Sequence, residues 1–372
     1  MPHRQKKLGH VSSNLTEKHY NILSLMKAQK EAKLLFMRRA LELAKRGGKK
    51  TRPNPRVGCV LVKDGKIIAE AWHKKFGGPH AEALALKKAG LKASGATAYI
   101  TLEPCVSFPG KKTPSCAEAL ISANVKNVFI SSKDPNPRIS GRGINLLKKN
   151  GISVHVGMFE RECEEINRSF FWRQRHQRPY VVLKLALSLD GKAFAAGGNS
   201  KWITGKPARN FVYGLRTRFD AILVGSETVI KDNPSLTSHG RGKNPLRLVL
   251  DTRLKIPQNS HVLTEKTPTL IITSSRQNFP RETLRVPLKN GRVDIKKALQ
   301  KLAERGIETL LVEGGPKVCA SFLKNKIVDE AYLFFAPKFL SEAKNPNHSP
   351  ILEDPQLEKI GKDFLIHGRI RY

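Results

Sequence analysis

The sequence predicts an α/β protein of two three-layer domains, each a sheet covered by helices. Two observations carry this. Short, almost uniformly apolar runs alternate with amphipathic segments along both halves of the chain, as strands alternate with helices in layered folds. A charged stretch with aromatics ends at Pro179 and leaves 372 residues in two parts, each large enough for its own core.

The elements follow in order. Residues 1–32 are basic, poor in aromatics and weakly patterned, and read as an N-terminal extension. From Leu34, "LLFMRRALELAKRGG" has helical spacing and closes at Gly47 and Gly48. "VGCVLVKDGKIIAEAW" sets two apolar runs around Asp64 and Gly65, a hairpin. A helix follows His80, and then "ATAYITLEP" reads as a strand, "CAEALISANV" as a helix, "NVFISSKD" as a strand, "INLLKKNG" as a helix and "ISVHVG" as a strand. "MFERECEEINRSFFWRQRHQRP" is spaced as one helix ending before Pro179, with Phe170, Phe171 and Trp172 read as core. These bound a first domain at 33–178. In the second, 179–372, "YVVLKLALSLDG", "DAILVGSETV", "LRLVLDT", "TLIITSS", "TLLVEGG" and "AYLFFAPKFL" read as strands, with helices around 204–218, 294–304 and 316–325.

Lys and Arg number 67 against 31 Asp and Glu, a formal net charge of +36. Such an excess attracts anions of every kind. Without an arginine-rich block interleaved with aromatics, it points to a phosphorylated small molecule ahead of nucleic acid. No apolar run reaches the length of a membrane span and the first residues lack a secretory h-region, so neither a membrane partner nor export is expected. Five scattered cysteines argue against a disulfide framework and for a reducing, cytoplasmic location.

The chemistry starts at "GGPHAEALALKKAG". His80 and Glu82 stand two apart where the chain turns into a helix, so they can share a target only off the helix N-terminus. "TLEPC" sets Cys105 at a strand end, and after ten residues Cys116 opens the next helix. One imidazole and two thiolates suit a zinc ion whose fourth position holds water of lowered pKa. Positive helix ends help keep both sulfurs ionised. A carboxylate near the metal but not bound to it, Glu82, suits a proton shuttle. The alternatives are a closed zinc site or unligated core thiols, and Cys59, the further cysteine close by, lies in an apolar strand typical of packing. In the second half, the two glycines of "VEGGP" let backbone N–H groups approach a phosphate at a helix start, or simply make a tight connection.

The first pattern resembles the H-x-E and P-C-x-x-C signature of zinc nucleobase deaminases, with ten residues between the cysteines in place of two. Beyond it, "NPRVGCVLVKDGKII", "PHAEALAL", "GATAYITLEPC", "TPSC" and "DPNPRISGRG", followed by "LKLALSLDGK", "SKWIT", "ILVGSETVIKDNPSLT", "LDTRLKIP", "VEGGP" and "APKFL", resemble the bifunctional riboflavin-biosynthesis deaminase/reductases. The likeness covers nearly everything after residue 33.

The resemblance implies a cytidine-deaminase-like zinc domain and a dihydrofolate-reductase-like domain. It implies deamination of 2,5-diamino-6-(5-phosphoribosylamino)pyrimidin-4-one, then NADPH-dependent reduction of the ribosyl chain to 5-amino-6-(5-phosphoribitylamino)uracil. His80, Cys105 and Cys116 match its zinc ligands and Glu82 its proton-transfer residue. Asn54, His73, Lys112, Asp134 and Asn136 match deaminase substrate contacts. Ala186, Trp202, Thr228, Asp232, Gly314 and Gly315 match NADPH contacts; Ser200, Arg216, Leu236 and Glu313 match reductase substrate contacts, and His239 occupies the place of a further one, which it or Arg241 would supply. Arg216 suits a ribose 5-phosphate because a guanidinium can grip phosphate oxygens with two parallel bonds, while Lys184 and Asp190 are given supporting roles.

Two departures stand out. The family's stretch between the cysteines commonly begins Ser-His and is shorter, whereas this chain has "VSFPGKKTPS", where Phe108 either lines the pocket or packs. The family commonly carries Arg after "SLT", where this chain has His239 with Arg241 two further on. The readings left beside the main one are a single-activity reductase with a degenerate deaminase domain, and a nucleoside or nucleic-acid deaminase, which leaves the second half unexplained. A homo-oligomer stays open.

Overall fold

A computed structural model describes residues 9–109, 114–188, 191, 203–336 and 351–371, and the chain divides into units 1–175 and 176–372. The first unit runs α1 (Gly9–Lys45), β1 (Gly58–Lys63), β2 (Lys66–Trp72), α2 (Ala81–Ala89), β3 (Thr97–Leu102), α3 (Cys116–Ser122), β4 (Asn127–Ser132), α4 (Arg142–Lys149), β5 (Ser153–Val156), α5 (Glu160–Ile166) and α6 (Arg168–His176). Its sheet has the order β2-β1-β3-β4-β5, with β1 antiparallel to both neighbours and β3, β4 and β5 parallel.

The period-two geometry of strands explains the layering. Cys59, Leu61, Ala98, Ile100, Val128 and Ile130 join Ala81, Ala85, Leu120 and Leu147 in one core. Their chain neighbours Val60, Val62, Tyr99 and Phe129 pack instead on Met37, Ala40 and Leu43 of α1. Full burial of each such aliphatic side chain contributes about 1.5–3 kcal/mol. A Cβ on Gly58 would lie 2.0 Å from the Ala40 carbonyl oxygen, so the close approach of α1 to β1 requires glycine there.

The structure differs from the sequence reading in two places here. Helix α1 begins at Gly9, well inside the stretch read as an extension, because Leu, Met, Lys, Gln and Ala favour helix intrinsically; side chains 26–31 are exposed. The single helix expected before Pro179 is two, broken at Asn167. That buried side chain accepts from Arg56 N at 2.8 Å and donates to Arg56 O at 3.0 Å, tying the junction of the two helices to the "NPRVG" segment while the Asn167 backbone still bonds Cys163 O and Phe171 N. Phe170 and Phe171 are core, as read.

The second unit runs β6 (Tyr180–Ser188), α7 (Lys206–Arg216), β7 (Ala221–Gly225), α8 (Ser226–Asp232), β8 (Leu246–Leu250), α9 (His261–Thr264), β9 (Thr269–Thr273), β10 (Glu282–Arg285), β11 (Leu288–Lys289), β12 (Arg292–Val293), α10 (Ile295–Glu304), β13 (Thr309–Val312), α11 (Pro316–Lys324), β14 (Glu330–Ala336), β15 (Ile351–Ile360) and β16 (Asp363–Arg371). Among the described residues its main sheet has the order β10-β9-β8-β7-β13-β6-β14-β16-β15, parallel from β10 to β14, with β16 antiparallel to β14 and β15. Strands β7, β9 and β13 are buried at every residue, the signature of a parallel sheet covered on both faces. Among the described residues, no helix is long and apolar enough to cross a membrane.

Candidate functional site

Parallel sheets offer sites beyond the carboxyl ends of their strands, and candidate residues of both units gather at that edge. In the first, β3 ends at Leu102 and delivers Cys105, while α2 and α3 start with His80 as N-cap and with Cys116. The Nδ1 of His80 lies 3.3 Å from Cys116 Sγ and 3.4 Å from Cys105 Sγ, and the three donor atoms all fall within 4.8 Å of one another. A tetrahedral zinc bonded at about 2.1 Å to nitrogen and about 2.3 Å to sulfur separates such atoms by about 3.6 Å, so the donor set fits zinc in both chemistry and spacing. Cys59 stands outside the trio, fully buried in the core.

The two sulfur ligands are tied through one hydroxyl. Ser115 caps α3 by accepting from Glu118 N at 3.1 Å and donates to Cys105 O at 3.2 Å, while Ala117 N reaches the same carbonyl at 3.1 Å. This bridge closes the ten-residue interval. Phe108 packs on Cys105, Cys116 and Ile139, with the Arg138 guanidinium 5.7 Å from its ring centroid.

Glu82, in the first turn of α2, is buried at 4 % exposure. Burial pushes its carboxyl up, His80 opposes this, and the Cys105 charge adds to it. A carboxyl held above the usual range beside a three-ligand site is suited to picking up a proton and releasing it.

His73 is buried beside the trio, its ring edge-on to His80 with centroids 5.3 Å apart. Its Nδ1 lies 3.0 Å from Pro79 O, which can only accept, so Nδ1 carries the hydrogen and Nε2 accepts from the Asn54 amide at 3.3 Å. Burial lowers the His73 pKa, which favours this neutral form. Asp134 and Asn136 follow β4: Asp134 accepts from Asn136 N at 2.8 Å, and burial pushes its carboxyl up to about 7. Lys112 lies outside the described residues.

Sequence reasoning missed Glu103, Ser115 and Asn167. Each is a buried polar side chain with backbone partners; Glu103 and Ser115 stand between apolar residues, the one available signal, and Asn167, followed by Arg168, has none.

In the second unit, Arg216 at the end of α7 meets Glu313 just after β13. Nε to Oε1 is 2.8 Å and Nη2 to Oε2 is 3.0 Å, a two-bond fork at about a tenth of full exposure, and Nη1 donates to Thr237 O at 2.8 Å. Burial pushes Glu313 up, but the Arg216 charge and hydrogen bonds, with Lys184, hold it below the usual carboxylate range. Burial lowers Lys184 on β6. The loop after α8 carries Leu236, buried and at φ 54°, and His239, exposed at φ 47° with its ring 4.0 Å from that of Tyr213. Arg241 is also exposed.

Gly314 has a packing reason beyond backbone approach: a Cβ there would lie 2.6 Å from Val318 Cβ, so α11 could not sit so near the end of β13. A Cβ on Gly315 would make ordinary contact, 3.4 Å, with Thr228 Oγ1. Ala186 lies in β6 opposite Phe334, and Asp232 ends α8, exposed. Ser200, Trp202 and Asp190 lie outside the described residues.

Comparison with known proteins covers both units. Residues 30–132 match the family described as "Cytidine and deoxycytidylate deaminase zinc-binding region", and residues 179–365 match "RibD C-terminal domain". The chain is 42% identical over 347 residues to the riboflavin biosynthesis protein RibD of Aquifex aeolicus, covering 89% of this chain and 96% of that one. Acinetobacter baumannii RibD superposes with a TM-score of 0.78 at 35% identity, covering 92% and 99%. A Thermotoga maritima structure described as a diaminohydroxyphosphoribosylaminopyrimidine deaminase/5-amino-6-(5-phosphoribosylamino)uracil reductase superposes with a TM-score of 0.76 at 36% identity and the same coverage.

Proposed function

The chain belongs to the RibD family of riboflavin-biosynthesis proteins, and from that premise we propose which molecules its halves act on and which residues do the work. It is a bifunctional enzyme with a zinc-binding deaminase half and an NADPH-dependent reductase half. In our reading the first half removes the C2 amino group of 2,5-diamino-6-(5-phosphoribosylamino)pyrimidin-4-one. The second reduces the ribosyl C1′, giving 5-amino-6-(5-phosphoribitylamino)uracil. The Thermotoga maritima relative, named as a deaminase and reductase of these two compounds, supports both substrates.

The observation that carries the deaminase assignment is the His80, Cys105 and Cys116 trio with the buried Glu82 carboxyl beside it. Zinc held there supplies a Lewis acid and an activated water. Glu82 moves two protons in turn at its carboxylate oxygen, one from the attacking water to the ring nitrogen and one from the added hydroxyl to the departing amine, which leaves as ammonia. Asn54, aimed by His73, and the loop of Asp134 and Asn136 bind the pyrimidine, with Lys112. Phe108 keeps water from the sulfur side.

In the reductase half, NADPH supplies the hydride. Gly314 and Gly315 cradle it with Thr228, Asp232, Ala186 and Trp202. Arg216, Leu236, His239, Ser200 and Glu313 hold the sugar phosphate; because Glu313 occupies one edge of the Arg216 fork, phosphate meets the remaining N–H groups. The partner is thus a phosphorylated pyrimidine, nucleic acid is not one, and we assign the enzyme to the cytoplasm.

The test supplies purified enzyme with the diaminopyrimidine ribosyl phosphate, with and without NADPH, and identifies products by mass. Deaminated ribosyl compound is expected without NADPH and its ribityl counterpart with it. Ribityl product that still carries the amino group, or no ammonia at all, would leave only the reductase.

A further inference from the structure

We propose that Glu103 is a positioning residue of the deaminase, setting the substrate loop 134–136 against the metal-ligand strand without touching substrate. Glu103 follows β3, two residues before Cys105, and is 3 % exposed. Its Oε2 accepts from Asp134 N at 3.2 Å and Gly141 N at 3.0 Å; its Oε1 accepts from Gly143 N at 3.0 Å and Ile144 N at 3.2 Å. All four donors are backbone groups of the segment running from β4 into the first turn of α4.

A carboxylate offers about four acceptor sites, so this one is saturated and has no capacity left for a metal, a proton relay or a substrate. What it does is mechanical. Helix α4 has no acidic residue in its first turn, and its N-cap, Gly141, offers no side-chain bond. Glu103 supplies the missing cap from another strand, where a negative charge also meets the positive helix end. The same contact is locked by shape: a Cβ on Gly143 would stand 2.0 Å from Pro104 O. Pro104 joins Glu103 to Cys105, so α4, the loop and the ligand strand meet at one point.

The loop's own geometry hangs from that point. Asp134 donates its backbone N–H to Glu103 and accepts at its side chain from Asn136 N at 2.8 Å, and Asn136 Oδ1 accepts from Arg138 N at 3.0 Å. Displacing the first bond therefore displaces the two side chains that bind substrate. This inference rests on the reading that Asp134 and Asn136 contact the pyrimidine.

The test is Glu103→Gln in the full-length enzyme. The amide keeps the size but turns an NH₂ toward one of the two N–H pairs, losing two bonds. The expected result is a KM for ammonia release raised about tenfold with kcat within about twofold, the split of a binding defect. Zinc content and reduction of the deaminated compound should match the parent. Combined with Asn136→Ala, the KM effects should fall short of their product, since both act through one loop.

A parental KM in Glu103→Gln, effects that multiply, or loss of zinc with unchanged KM would each overturn the proposal. Should the variant fail to fold, amide exchange on the unaltered enzyme decides: the N–H groups of Asp134, Gly141, Gly143 and Ile144 should exchange slowly, and fast exchange there refutes it. A parent enzyme that releases no ammonia would instead refute the deaminase reading itself.

Discussion

Arg216 shows how much one buried charge can decide. Its fork on Glu313 means that Arg216→Ala removes more than the phosphate contact proposed for it, because it leaves a carboxylate buried without its cation. Breaking such a pair costs about 3–5 kcal/mol. Glu313 is held below its unfolded value of about 4.3, so the pair's contribution is present above that pH and lost as pH falls through the lower folded value. Denaturant unfolding should therefore show the parent well above Arg216→Ala at pH 7, with the gap closing below about pH 4. A constant gap across that range would contradict the pairing. The cysteines supply a second residue-scale test. Burial raises Cys59 and pushes Cys163 and Cys319 up to about 12, so these thiols should resist iodoacetamide at pH 8. Cys105 and Cys116 should be alkylated only after zinc is chelated. Labelling of either in the zinc-loaded enzyme would speak against their role as ligands.

Elements are set by what their ends attach to. Strands β6 and β14 start together because Arg178 forks onto Asp329, Nη1 to Oδ2 at 2.6 Å and Nη2 to Oδ1 at 2.7 Å, while Asp329 also accepts from Val181 N at 2.8 Å. Arg178→Met should cost the second unit about 3 kcal/mol in denaturant unfolding, since Asp329 stays buried without its cation. A loss under about 0.5 kcal/mol would show that the pair is incidental. The sequence reading recovers the parallel strands because burial on both faces leaves uniform apolar runs, as in β7, β9 and β13. It misses the β15–β16 hairpin for the converse reason. That edge pair carries Pro355 at a register shift between Glu353 and Gln356 and leaves Leu357 70 % exposed, so no alternating pattern survives. The break at Asn167 is equally hidden, because its partner, Arg56, is 111 residues away.

At the scale of the whole molecule, each unit has its own core, and its candidate site lies beyond the carboxyl ends of parallel strands. The reactive groups were legible because few residue types can bind zinc or carry a proton, and His80, Glu82, Cys105 and Cys116 are all of those types. Their supports were not, since Glu103 and Ser115 act through backbone partners that no spacing rule reveals. The claim on which both the site and its substrate loop depend is that Glu82 moves protons at a metal that it does not hold. Ammonia release by Glu82→Gln, measured on protein shown to contain as much zinc as the parent, tests this most directly. The account predicts a rate lowered about 10²–10⁴-fold with zinc retained and reduction of the deaminated compound intact; release at the parental rate, or loss of zinc with the carboxylate, would contradict it.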